Sequence, residues 1–200
     1  MTSQHSKNQK LIIGIFALSI IPFGIAWFLA KNPEFLKPSA TNHGQLITPI
    51  ITTERSDFQG FDTFSQENIK ELEAHWLIVN VIPKADCDEI CLEAIHKTRQ
   101  LRLMLNKELV RTRRAVLVLD SNVSEASGAN WWKEDGDLLR LKPNAAVIEK
   151  LNLLYNGQIP EGVLLLVDPL GNFMMRYAPN FNPYDAKSDL MHLLKISQIG

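Results

Sequence analysis

The 200-residue sequence predicts an α/β fold, a central mixed sheet flanked by helices, that follows one N-terminal transmembrane helix. Two observations predict this arrangement. An uncharged apolar segment stands near the N-terminus, and short apolar runs alternate with helical patterns through the rest of the chain. The residues that follow the apolar segment suffice for one domain.

The apolar segment, residues 11–30, reads LIIGIFALSIIPFGIAWFLA and contains no charged residue. A helix of this length spans roughly 30 Å, the thickness of the hydrocarbon core of a bilayer. Lys10 and Lys31 bound the segment, and Trp27 stands where an indole ring can lie at the membrane interface. A cleaved signal peptide is the alternative, but Phe28-Leu29-Ala30 puts a bulky residue where the cleavage site needs a small one. We therefore predict an uncleaved anchor.

The chain is predicted to divide into a short cytoplasmic tail (1–10), a transmembrane anchor (11–30), a tether (31–44) and one globular domain (45–200). The tether is rich in Pro, Ser, Thr, Asn and Gly and lacks apolar periodicity. Lysines precede and follow the anchor, so the charge bias is nearly balanced, and the large C-terminal domain favours export of that domain. We expect a single-pass protein of the inner (cytoplasmic) membrane with a periplasmic C-terminal domain.

Composition limits the classes of partner. The net charge is -1, with 22% charged and 46% hydrophobic residues. These values argue against a nucleic-acid-binding protein, which needs a basic surface. Arg111, Arg113 and Arg114 form a small basic cluster, which we interpret as the solvated start of a strand, with an acidic partner surface as the alternative.

A βαβ unit is predicted in the first half of the domain. His75–Ile82 is a nearly continuous apolar run, typical of a strand buried on both faces. A helix is predicted from Asp88 to Lys107, because apolar and small residues recur there at three- and four-residue steps. Arg114–Asp120 predicts a second buried strand, and a helix between two such strands indicates parallel pairing.

The second half predicts a helix, a hairpin and a final helix. The elements, in chain order, are a loop at 121–137, a helix from Lys142 to Leu154 opened by Pro143, strands at Glu161–Asp168 and Phe173–Tyr177 joined by the turn Pro169–Asn172, and a helix at Pro183–Ile196. Gln45–Ile51 is expected to add an N-terminal strand or hairpin. The order β-α-β-α-β-β-α is that of the thioredoxin fold.

Cys87 and Cys91 are the only two cysteines, and they stand where the first buried strand gives way to a helix. Residues i and i+4 share a helix face, so the two thiols can form a disulfide or together hold the soft ion Cu(I). A thiol in the first helical turn is acidified by unpaired amides, whereas the neighbouring Asp86, Asp88 and Glu89 raise its pKa. A permanent, inert disulfide is the alternative, although so small a loop adds little stability.

The sequence resembles thioredoxin-fold proteins, and the three-residue gap between its cysteines resembles the Sco (SenC) family. Ile159-Pro160 precedes the third core strand, where thioredoxin-like proteins carry a cis-proline facing the cysteines. The resemblance implies catalytic roles for Cys87, Cys91 and Pro160, and a cis Ile159–Pro160 peptide opposite Cys87. It also implies metal binding by Cys87 and Cys91, because Sco proteins deliver copper to cytochrome c oxidase or keep its copper-site cysteines reduced.

The sequence departs from the Sco pattern at two places. Sco proteins add a histidine ligand shortly before the third core strand, and the stretch Tyr155–Gly162 contains none. Leu92 stands where the family has a proline. The histidines that could replace the missing ligand are predicted to lie elsewhere, His96 facing away from the motif and the others in the tether, at the far end of the sheet and in the last helix: His43, His75 and His192.

Three functions compete. The leading hypothesis is a membrane-anchored assembly factor for the copper site of cytochrome c oxidase, a thiol reductant or Cu(I) carrier whose partners are oxidase subunits in an inner-membrane complex or a redox partner. The second is an enzyme, a general exported thiol-disulfide oxidoreductase. The third is a non-catalytic thioredoxin-fold adaptor for a membrane complex. Cu(I) is the candidate cofactor, and the sequence leaves open whether the protein is an enzyme.

Overall fold

The computed structural model describes residues 2–32, 35, 42–84, 86–120, 135–197 and 199. Most of the predicted tether and most of the predicted loop at 121–137 therefore lie outside the described residues. The chain forms two compact units, Met1–Thr41 and Asn42–Gly200. The first unit contains one helix, α1 (Thr2–Lys31), in which Ile12–Lys31 is long and apolar enough to cross a membrane. The predicted apolar helix is confirmed.

The described part of the second unit is built on a seven-stranded mixed sheet with the order β1-β7-β6-β3-β4-β5-β2. Strands β3, β4 and β5 run parallel, and all other neighbours pair antiparallel. The strands are β1 (Gln45–Thr52), β2 (Phe58–Gly60), β3 (Trp76–Ile82), β4 (Thr112–Val118), β5 (Leu138–Pro143), β6 (Leu164–Val167) and β7 (Asn172–Tyr177).

Helices cover both faces of this sheet. The helices are α2 (Thr63–Glu67), α3 (Glu89–Leu103), α4 (Ala145–Leu154) and α5 (Pro183–Ile196), with short 3-10 helices at Arg55–Asp57, Ile69–Leu72 and Asn106–Arg111. Side chains of α3 and α5 pack on one face, and those of α4 pack on the other. Every residue of β3 is buried, as the apolar run predicts, because both faces of this central strand are covered. The sheet with its flanking helices is the predicted thioredoxin-like arrangement.

The predicted start of the helix Lys142–Leu154 is wrong, because α4 begins at Ala145 and Lys142 and Pro143 end a strand. This strand, Leu138–Pro143, has no counterpart in the sequence prediction. The strand escaped prediction because Arg140 interrupts its apolar pattern, yet this arginine is buried and bonds Asp62 at 2.6 Å. The start of α4 is fixed by Asn144, whose side chain accepts from the Val147 amide at 3.0 Å.

The basic cluster at the start of β4 also differs from its prediction as a solvated strand start. Arg114 is buried, and its guanidinium bonds the Asp135 carboxylate at 2.6 Å and donates to the Ile95 carbonyl at 2.9 Å. Arg113 bonds Glu71 at 2.7 Å. These charges are satisfied by acidic groups and carbonyls within the chain, so the cluster joins β4 to its neighbours.

Asp189 on α5 holds the beginning of the domain in place. Its buried carboxylate accepts from the amides of His43 and Gly44, each at 2.9 Å, and from the Tyr177 hydroxyl at 2.8 Å. Burial and the adjacent Asp189 raise the pKa of Tyr177, so the phenol remains a donor. Three donors satisfy one buried charge, which makes the contact strong.

We expect Asp189→Ala to lower the free energy of unfolding by about 2–4 kcal/mol, because it leaves three hydrogen-bond donors at a buried site without their acceptor. The matched control is Asp185→Ala, which removes a half-exposed carboxylate 3.8 Å from His43 on the same helix and should cost under about 0.5 kcal/mol. Urea unfolding of the full chain in detergent measures both. Equal losses would show that Asp189 does not hold the domain start.

Candidate functional site: the disulfide at the end of β3

Cys87 and Cys91 form a disulfide, with their Cα atoms 5.3 Å apart. The bond lies just beyond the carboxyl end of β3, where the chain turns into α3. Its two sulfurs have different surroundings: Cys87 is half-buried, whereas Cys91 is 2% exposed. Cys91 packs in an apolar cluster with side chains from β3, β4, β5 and α3, among them Ile82, Ile95 and Val116. One sulfur is therefore open to a partner and the other is closed to it.

The first turn of α3 is capped by an aspartate inside the motif. Asp88 is the N-cap residue, and its side chain accepts from the Cys91 amide at 2.9 Å. The helix begins at Glu89, so Cys87 precedes the cap. The sequence analysis placed Cys87 in the first helical turn, and that placement is wrong. The amide that could have stabilised a thiolate is already bonded to a carboxylate. Acidification of Cys87 by the helix terminus is correspondingly reduced.

The segment before β6 runs alongside the cysteine motif. The Val81 amide donates to the Val163 carbonyl at 3.3 Å, which extends the β3–β6 pairing toward the disulfide. Gly162 has a positive φ of +76°, and a Cβ there would lie 2.8 Å from Ile90 Cγ2 and 3.1 Å from the Ile90 carbonyl oxygen. Only glycine tolerates both the conformation and this approach. The backbone of residues 161–162 therefore packs directly on the turn that separates the two cysteines.

The prediction that the Ile159–Pro160 peptide is cis is wrong. Within the described ranges the one cis peptide is Thr48–Pro49, on edge strand β1. Pro160 is exposed, and the half-buried Ile159 packs against the core on the α4 side. The residue with a positive φ in this segment is Gly162, which lies two positions after Pro160.

Glu161, next to Pro160, is the one acidic side chain at the site that is removed from water. Its side chain is 8% exposed, and Lys84 Nζ lies 3.5 Å from Oε1. Among the described residues, neither carboxylate oxygen accepts a hydrogen bond. Burial, and then the charge of Asp88, raise the pKa of Glu161, while Lys84 opposes them.

The four histidines whose side chains the structure describes do not assemble a metal site with the cysteines. His96 is exposed and bonds Gln100 at 2.9 Å, in agreement with its predicted outward direction. His43 lies near Asp185, His75 precedes β3 at the opposite end of that strand, and His192 is exposed on α5. In the part of the chain that the structure describes, no three His, Cys, Asp or Glu side chains converge as metal ligands.

Sequence reasoning missed Asp88 as a cap and Glu161 as a member of the site. The signal for Asp88 was available, because an aspartate three residues before a helical stripe is a common N-cap. Glu161 directly precedes a continuous apolar run, which indicates entry into the core, but its closeness to the cysteines depends on the antiparallel pairing of β3 with β6.

The mixed seven-stranded sheet has helices on both faces, and a disulfide lies at the amino end of α3. This arrangement defines a thioredoxin-like protein. Residues 76–197 match the family model described as "Transmembrane-like, thioredoxin-like, C-terminal domain". The chain belongs to this family. A comparison with curated protein sequences finds no match.

Several solved structures share the fold. Copper-bound yeast Sco1 is 16% identical, with a TM-score of 0.52 over 64% of this chain and 83% of that one. Apo Sco1 from Thermus thermophilus is 11% identical, with a TM-score of 0.54 over 78% and 99%. BsSco, described as a Sco-family cytochrome c oxidase assembly protein with a disulfide switch, is 18% identical, with a TM-score of 0.50 over 80% and 98%. The resemblance to Sco proteins is confirmed at the level of the fold.

The approach of Gly162 to Ile90 can be tested by adding one methyl group. We expect Gly162→Ala to lower the free energy of unfolding by about 3 kcal/mol or more, because it adds a steric clash to the strain of a positive φ. Gly157→Ala is the control: its φ is +80° with open space around the added Cβ, so it should cost only about 1–2 kcal/mol. Urea unfolding measures both variants, and equal costs would contradict the contact.

Proposed function

We propose that this chain is a membrane-anchored thiol-disulfide protein that serves the assembly of the copper site of cytochrome c oxidase, chiefly as a thiol reductant. Cys87 and Cys91 are the reacting pair: the reduced Cys87 attacks the disulfide of the client, and the oxidised Cys87 is the sulfur that a regenerating donor attacks. The proposal draws its reaction class from the site and its biological setting from the likeness to Sco proteins, two of which are described as copper-bound or as oxidase assembly proteins. Pro160 is proposed to border the partner-binding surface, because it is exposed beside the motif.

The observation that carries the proposal is the unequal burial of the two sulfurs. When the reduced pair acts on a client, the accessible Cys87 thiolate attacks the disulfide of the client and forms a mixed disulfide. Cys91 then attacks Cys87, closes the Cys87–Cys91 bond and releases the reduced client. Half-buried Cys87 and enclosed Cys91 suit these two steps. A purely structural role is poorly supported, because a bond between residues only four apart closes a very short loop and restricts the unfolded chain little.

In this proposal, the membrane anchor determines which compartment the disulfide faces. We infer that α1 spans the inner membrane once, with a short cytoplasmic tail at 1–10 and a tether at 31–44, and that the domain faces the periplasm. The candidate partners are then oxidase subunits or a membrane-bound dithiol donor. In an oxidising compartment a reduced pair must be regenerated by such a donor.

Replacement of both cysteines by serine tests this function. In cells that carry C87S/C91S, we expect the copper content of membrane cytochrome c oxidase to fall severalfold, while other exported disulfide proteins keep their redox state. Leu92→Ser, an exposed change beside Cys91, is the control and should leave assembly intact. Loss of oxidation or reduction in unrelated exported proteins would favour the general oxidoreductase instead, and full assembly in the double variant would leave only an adaptor role.

Cu(I) carriage is the second candidate, favoured by the short distance between the two sulfurs. Two thiolates four residues apart suit a soft ion that accepts low coordination. Among the described residues no third ligand joins them, so we expect weaker binding than at a site with two cysteines and a histidine.

Copper titration of the reduced chain, in competition with a chromophoric Cu(I) chelator, tests this candidate. Stoichiometric binding should require both Cys87 and Cys91 and should be unaffected by His96→Ala, since His96 is exposed and bonded to Gln100. If His96→Ala abolished binding, the assignment of the ligands would be wrong. If the reduced wild-type chain bound no copper, only the reductant role would remain.

A further inference from the structure

The acidic side chains next to Cys87 lack cationic partners. Asp86, Asp88 and Glu89 are exposed, and exposed carboxylates are ionised at neutral pH. Within the described residues none of the three forms an ion pair. Other acids of the domain are paired with basic side chains, as in Glu73–Arg55, Glu93–Lys97 and Glu108–Arg111. A partner that approaches Cys87 therefore meets uncompensated negative charge.

The basic side chain nearest in sequence does not neutralise this charge. Lys84 is 73% exposed, and its Nζ lies 3.5 Å from Oε1 of Glu161. One ammonium offsets one carboxylate, and Glu161 is the carboxylate that Lys84 faces. Lys142, near the end of β5, is directed to an aromatic ring, since its Nζ lies 4.6 Å from the ring centroid of Phe61. The three acids of the motif remain without a counter-charge from either lysine.

Glu161 adds a buried acceptor that has no donor. Its side chain is 8% exposed, and among the described residues neither carboxylate oxygen accepts a hydrogen bond. The 3.5 Å to Lys84 exceeds the roughly 2.7–3.2 Å of an N–H···O hydrogen bond. Because Gly162 packs on Ile90, Glu161 borders the cysteine motif, and the charge of Asp88 acts on it. Buried acceptors are normally bonded, so this one fits a cationic donor that arrives with a partner.

Apolar side chains at the same place indicate that this partner is a polypeptide. Ile90 and Pro160 are exposed, one in α3 and the other in the segment that packs on α3. Apolar side chains bordered by charged ones are typical of protein–protein interfaces. A free metal ion would use the charges but not the apolar groups. The four carboxylates that border Cys87 are here named the acidic docking surface: Asp86, Asp88, Glu89 and Glu161.

We propose that the acidic docking surface selects clients that carry lysine or arginine beside the reacting cysteine. The inference rests on the proposed redox function and adds the chemistry of the client. The Cys87 thiolate attacks the client sulfur beside the cation, the client disulfide breaks, and its other sulfur leaves as a thiolate. Cys91 then attacks Cys87, closes the Cys87–Cys91 bond and releases the first client sulfur. In total the cysteine pair loses two electrons and two protons, and the client gains them.

The test compares two synthetic peptides that each contain one disulfide and differ only beside the first cysteine, with lysines in one and glutamates in the other. The purified full-length chain, reduced and freed of reductant, is mixed with each peptide at pH 7.5, and chromatography follows reduction of the peptide. Each rate constant is divided by that of the same peptide with dithiothreitol. The charge selectivity is the ratio of the lysine value to the glutamate value. The thiolate fraction of Cys87 cancels in this ratio, because it is common to both peptides.

We expect a charge selectivity of about tenfold or more at about 0.01 M salt, and of about twofold or less at about 1 M, where the Debye length falls from about 30 Å to about 3 Å. At low salt, Asp86→Asn/Glu89→Gln should lower the selectivity at least about threefold and Glu161→Gln about twofold, because each removes charge that faces the client. The control, Glu73→Gln/Glu149→Gln, removes the same net charge as the double variant from exposed sites before β3 and on α4. It should leave the selectivity within about 1.5-fold of wild type.

Four results would overturn the inference. A wild-type selectivity near one at low salt would show that the surface does not discriminate charge. An unchanged selectivity in either docking-surface variant, or an equal fall in the control, would show that the preference arises elsewhere on the chain. In these three cases a reduced chain that still reduces both peptides leaves the proposed function intact. A reduced wild-type chain that reduces neither peptide at any salt concentration would overturn the inference and the redox function together.

Discussion

A side chain at position 162 would collide with Ile90, so the beginning of α3 can rest on the backbone that leads into β6 only because that residue is glycine. This contact joins two parts of the chain separated by about seventy residues. It also sets the place of the disulfide, since Ile90 lies between the two cysteines and Asp88 caps the same turn. The buried strand β3 also fixes this position, because its carboxyl end leads directly into the cysteine motif.

The same contact explains how the two sulfurs acquire different environments. The helix turns Cys91 inward onto apolar side chains of β3 and β4, while Cys87 precedes the cap and remains at the surface. Of the acidic residues in the motif, Asp88 has two opposing effects. Asp88 stabilises the helix by occupying the Cys91 amide, and in doing so it removes a donor that a thiolate could have used. The site combines a well-fixed helix with a moderately reactive thiol.

Much of this architecture could be predicted from the sequence, because its strongest signals are local. The uncharged segment, the run that becomes β3 and the helix Pro183–Ile196 each announce their structure within a few residues. Strand β5 could not be recognised in this way. Its Arg140 is acceptable in a buried strand only because Asp62, far away in sequence, neutralises it, and such pairing is a property of the folded chain.

The candidate site was predictable to the same limited extent. The spacing of Cys87 and Cys91 indicated a bond, which the structure contains. The cis conformation predicted for Ile159–Pro160 came from a resemblance and is wrong. The residue with a positive φ in this turn is Gly162, two residues after Pro160. Glu161 was invisible for a different reason: its neighbours are decided by which strand lies beside β3, and periodicity carries no information on strand order.

Because the two cysteines differ in accessibility, a partner can form a mixed disulfide with only one of them. A thiol that meets this surface can bond to Cys87 but hardly to Cys91, so each encounter yields a single species with defined connectivity. If the enclosed sulfur were absent, Cys87 could still attack the disulfide of a client and form a mixed disulfide, and nothing within the motif could then expel the captured molecule. The natural interaction would then persist through purification as a bond that mass spectrometry reads directly, and the identity of the partner would be recorded in the linkage itself.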